Sequence, residues 1–141
     1  MAKTKGRRWC RPLIGSQRFD VRFMSEDECP ELEGREAATV YQDTLVAIKH
    51  GMSSERNEDC FGHEVCGHAL LDATGLDHII QERLGLTDSQ YKKLDEIIAR
   101  SIVPAIFGVL KGNGWLRLPR QPGRSRSATS ASAGKRRKAK R

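Results

Sequence analysis

Cys60-Phe61-Gly62-His63-Glu64-Val65-Cys66-Gly67-His68-Ala69-Leu70-Leu71-Asp72 is the stretch on which the reading of this chain turns. Its apolar flanks and the signals around it make it a helix. Ser53 or Ser54 supplies an N-cap oxygen, Glu55 and Glu58 sit in the first turn as the helix dipole favours, and Thr74-Gly75 is a natural stop. A histidine followed at once by glutamate, with a second histidine downstream on the same helix, is the logic by which two imidazoles hold Zn²⁺. The glutamate then polarises a bound water and takes its proton. The spacing carries one residue too many. Histidines at i and i+4 lie about 40° apart at roughly 100° per residue, whereas i and i+5 lie about 140° apart, and His63 and His68 are an i, i+5 pair. A single-turn π-bulge absorbs one extra residue and tends to occur at functional sites; Gly67 is the kind of residue that allows it.

Upstream, Gln17 to Met24 alternates apolar and polar through Phe19, Val21 and Phe23, which predicts a half-buried strand. A shorter strand near Leu13 and Ile14 precedes it, with a turn at Gly15-Ser16. A loop carrying Pro30 and Gly34 follows, then a second extended segment from about Thr44 to Lys49, ending at Gly51. Downstream, Asp77 to Leu84 adds a helical turn or two. Thr87-x-x-Gln90 is a capping box that opens a second long helix, with apolar positions at Tyr91, Leu94, Ile97, Ile98, Ile102 and Ala105. The stretch from Ile97 to Leu110 reads as core packed on the His-Glu helix, kinked or broken at Pro104. A few strands followed by two long helices define an α+β class.

His63-Glu64-x-x-Gly67-His68 resembles the six-residue H-E-x-x-G-H variant of the zinc dipeptidyl peptidase III family, which coordinates zinc with this same extra residue. Over about 17–113 the layout is similar to small zincin-like proteins encoded by bacteriophages and prophages. The shared features are short strands, a segment like Ile48-Lys-His-Gly-Met-Ser-Ser-Glu-Arg56, the His-Glu helix and a second helix. Those proteins usually carry H-E-x-x-H, so this chain departs from them at the motif itself. The resemblance implies a minimal metallopeptidase fold and a zinc ion, and leaves the peptide or protein substrate open. It also implies a third protein ligand from the following helix. Glu96, 28 residues beyond His68, is the first choice, with Asp95 adjacent. His78 is second, because Gly75-Leu76-Asp77-His78 looks like the G-x-x-H of metzincins, and Asp72 is third. Cys60 or Cys66 as thiolate ligands would instead make a closed structural site; both read better as small core hydrophobes.

The charge pattern sets out the partners. The net charge of +7 divides into +5 over residues 1–12, +11 with no acid over 111–141, and −9 between them. The expected layout is a basic N-terminal arm (1–12), a zincin-like domain (13–113) and a disordered basic tail (114–141). The residues after about Gly114 are almost without apolar side chains and cannot offset the entropy of ordering. Residues 1–12 and 117–141 predict at most a salt-sensitive, non-specific contact with nucleic acid, since only Trp115 offers an aromatic stacking surface nearby. No apolar run reaches the roughly 18 residues of a membrane span, and the N-terminus lacks a signal peptide's apolar region, so a cytoplasmic protein without membrane contact is expected. Four cysteines without an export signal read as reduced thiols.

Three functions follow as expectations. The first is a zinc metallopeptidase with His63, His68 and Glu96 as ligands and Glu64 as general base. The second is a non-catalytic zinc-stabilised module whose basic arms dock on nucleic acid or on a virion or host partner. The third is a metal-dependent endoribonuclease, because Gly75-Leu-Asp-His78 is faintly similar to the three-histidine rRNA-maturation family. The plain alternative for the motif is a helix whose Glu64 and His68 form a surface i, i+4 pair.

Overall fold

The computed structural model describes residues 6–122. Residues 1–5 of the expected arm, and the expected tail from residue 123 onward, lie outside the described residues. The described chain is α+β, with a small mixed sheet backed by helices. The strands are β1 (Arg7–Cys10), β2 (Leu13–Ile14), β3 (Gln17–Arg18), β4 (Asp20–Met24), β5 (Ala37–Val40) and β6 (Leu45–Lys49). Four of them form one sheet in the order β1-β4-β6-β5. The central β4–β6 pair is parallel and the two outer pairs are antiparallel. β2 and β3 make a separate hairpin through Gly15, whose φ of +57° closes the turn.

β6 is buried on both faces, and so its sequence is a continuous apolar run rather than an alternating one. Val46 and Ile48 join Val21, Phe23 and Trp9 in the main core beneath the helices. Leu45 and Ala47 face a second, smaller core of Met24, Cys29, Leu32 and Ala38, covered by the loop between β4 and β5. β4 shows the expected alternation, with Val21 and Phe23 buried between Asp20 and Arg22.

Two expectations about the ends of the domain are corrected. Arg7–Cys10, placed in the basic arm, is an edge strand, because Trp9 is buried and stacks on Phe23 while its neighbours stay exposed. Residues 115–122, placed in the tail, pack back on the body. Trp9 Nε1 donates to the Pro119 carbonyl at 2.9 Å, and Gln121 bonds both Asn57 and the Ser54 carbonyl.

The first long helix begins as α1 (Ser54–Phe61), with the Ser53 hydroxyl accepting from the Arg56 amide. It continues through a π-helical segment, Gly62–Ala69, into α2 (Leu70–Thr74), which ends at Gly75 with φ +70°. After α3 (Leu76–Leu84), the Thr87–Gln90 capping box opens α4 (Asp88–Ile97) with both of its hydrogen bonds present. A second π segment, Ile98–Ile102, leads into α5 (Val103–Gly112). Pro104 therefore neither breaks nor ends this helix. It stands in the first turn after the π segment, where the backbone has already left α-helical hydrogen bonding. The reading of Ile97 to Leu110 as core is corrected by half. Ala99, Val103 and Phe107 are buried, whereas Ile97, Ile102, Ile106 and Val109 face outward. No helix among the described residues is long and apolar enough to cross a membrane.

Candidate metal centre

All of His63, Glu64 and His68 lie on the first π segment. With five residues per hydrogen-bonded ring, the extra residue is taken up and the two imidazoles return to one side. Their Nε2 atoms stand 3.1 Å apart, the rings meeting edge-on. Two nitrogens bound to one tetrahedral zinc at about 2.05 Å stand about 3.3 Å apart, so the observed spacing fits a shared ion. A ligand atom from each of His63, Glu64 and His68 falls within 4.8 Å of the others, the one such group of at least three residues among the described residues.

The surroundings hold each group in place. His68 Nδ1 faces Asp95 Oδ2 at 2.7 Å, so its proton belongs on Nδ1 and the Nε2 lone pair is left facing His63. Without an ion, the same geometry suits an Nε2–H···Nε2 hydrogen bond from His63 to His68. Glu64 is 7% exposed, and one oxygen accepts from the Thr39 hydroxyl at 2.7 Å. That hydroxyl comes from β5, the edge strand lying against the π segment.

Gly67 sets the depth of the arrangement. A Cβ there would meet the Ala99 Cβ at 3.0 Å and the Ala99 Cα at 3.3 Å. The two π segments thus meet backbone to backbone at this pair. The close approach brings Asp95, half a turn beyond α4's centre, within reach of His68.

The expected third ligands fall unevenly. Glu96 Oε1 is 3.7 Å from His68 Nε2, but the residue is 47% exposed and its other oxygen accepts from Arg100 at 2.8 Å. Its burial raises the carboxyl pKa, yet the Arg100 hydrogen bond and the nearby His68 outweigh it and hold the group below its ordinary range. Asp95 engages the far nitrogen of His68 instead of the facing one. The His78 side chain is 87% exposed and lies beside Asp77, so the three-histidine set is not brought together. Asp72 is outside the group, its carboxyl raised by burial and by Asp77. All four cysteines are free, and burial pushes the Cys60 thiol up to about 11 and raises that of Cys66, which suits core residues rather than ligands.

Two participants came from upstream without a sequence signal. Thr39 is one. Tyr41 is the other, in the turn after β5, with Thr44 beyond it held at φ +47°. Partial burial, then the charges of Asp95, Asp72 and Glu64, lift its phenol well above the ordinary range, so it stays a protonated donor facing the carboxylates.

Comparison of the chain with protein-family models, curated proteins and solved structures finds no match.

Proposed function

We propose that the chain is a zinc-dependent metallopeptidase of minimal zincin-like type. The observation that carries this reading is the 3.1 Å approach of the His63 and His68 Nε2 atoms across an i, i+5 spacing, with Glu64 beside them. His63 and His68 would hold the ion, and Glu96, by moving off Arg100, would close the set. Zinc in that position supplies Lewis acidity and lowers the pKa of a coordinated water toward neutrality. Glu64 accepts the proton of the attacking water and returns it to the leaving amine. Thr39 keeps one Glu64 oxygen occupied, so the other is the one presented to the water. Asp95 keeps His68 in the tautomer that offers Nε2.

A second reading draws on the same group. Glu64 lies close enough to both imidazoles to be a ligand itself, and the protein would then be a non-catalytic zinc-stabilised module docking through its basic ends. One substitution separates the two. Glu64→Gln in the zinc-loaded protein is expected to keep the metal and lower hydrolysis of a denatured protein substrate about 10²–10⁴-fold, the usual weight of a general base. Loss of zinc in that variant favours the structural reading, and full activity overturns the proposed mechanism.

A further inference from the structure

The helix that backs the metal centre turns one side inward and leaves the other bare. Ala99, Val103 and Phe107 pack inward, and Lys111 reaches round to Glu58 on α1. On the opposite side Ile102, Ile106 and Val109 are 50–56% exposed. Between them lie Ala105, Gly108 and Gly112, also exposed, and a Cβ added at either glycine would meet nothing within 4 Å. Contiguous apolar surface of this kind is uncommon on a monomer and marks an interaction site. The chain has nothing of its own to cover it. Residues 1–5 and 123–141 hold no apolar side chain larger than alanine except Met1.

We propose that this face of α5 pairs with the same face of a second copy, antiparallel about a twofold axis at the level of Phe107. The pattern of sizes selects that partner. An isologous contact requires each residue to face its counterpart reciprocally. About this axis Ile102 falls opposite Gly112, Ile106 opposite Gly108 and Val109 opposite Ala105. Every branched side chain meets a small one, so ridges enter gaps and the backbones approach closely. No charged side chain lies on the seam, because Lys111 is directed to Glu58. Three helical turns with Trp115, 74% exposed at the margin, give an interface on the order of 1,000 Å² in total, the small end of specific contacts. Association is therefore expected in the micromolar range.

Sedimentation velocity on the full chain, from micromolar to submillimolar concentration, tests this. The mass is expected to rise toward twice 15.8 kDa. Gly108→Leu fills the gap that Ile106 needs while favouring the helix, so it should leave the circular dichroism unchanged and weaken association at least about tenfold. Ile106→Ala with Gly108→Ile exchanges large and small in the same register and should restore it. A chain that stays at 15.8 kDa throughout, or a dimer indifferent to Gly108→Leu, overturns the proposal, including the case in which a different protein occupies the face. A double variant that remains monomeric overturns the register.

Discussion

His68 has both ring nitrogens spoken for, Nδ1 by Asp95 at 2.7 Å and Nε2 by His63 at 3.1 Å. A carboxylate on the far nitrogen of a metal-binding histidine fixes its tautomer and raises its basicity, and losing that partner typically costs 10–100-fold in metal affinity. Asp95→Ala is therefore expected to weaken zinc binding by about that factor in a competition titration against a chelating dye. Unchanged affinity would reduce Asp95 to a packing role. The two histidines and the glutamate were legible in the sequence, because imidazole and carboxylate in one short helical stretch have few other uses. The role of Asp95 was not, although the residue was marked as an alternative ligand. Which nitrogen it meets depends on how the His68 ring is turned, and spacing along a chain carries no information about that. Thr39 and Tyr41 were silent for a simpler reason: a hydroxyl 25 residues upstream of Glu64 becomes a neighbour only through sheet order.

The π segment Gly62–Ala69 is the element that turns an ill-spaced motif into a converging one. The extra residue pointed to a bulge of one turn. Its extension over eight residues, and a second π segment facing it at Ile98–Ile102, were not visible because they answer to the packing of two helices against each other. Gly67 is where that packing is decided, and there the two relevant effects have opposite signs. Helix propensity favours alanine over glycine by about 1 kcal/mol. Contact opposes it, since the new methyl would press on Ala99 Cβ at 3.0 Å and on its Cα at 3.3 Å, and backbone cannot step aside as a side-chain tip can. Overpacking of this kind costs about 1–3 kcal/mol. Gly67→Ala should thus lower the thermal midpoint by several degrees, and a midpoint equal to or above the wild type would show that the helices have room to part.

Across the whole molecule, the parts with a strong period or a strong composition were readable and the weakly patterned edges were not. β6 could be found from its unbroken apolar run and β4 from its alternation. β5, Ala37–Val40, has two alanines and no alternation to announce it, and β1 was hidden among arginines that stay exposed around the single buried Trp9. Those two strands are the sheet's edges, and β5 is the one that supplies Thr39 to the site. Everything then rests on whether the two imidazoles share an ion. Zinc content by mass spectrometry on the full untagged chain, reconstituted and freed of loose metal, should give one zinc per chain. His63→Ala and His68→Ala should each lose it, as both nitrogens are needed. An apo wild type after reconstitution, or zinc retained in both variants, would contradict the account.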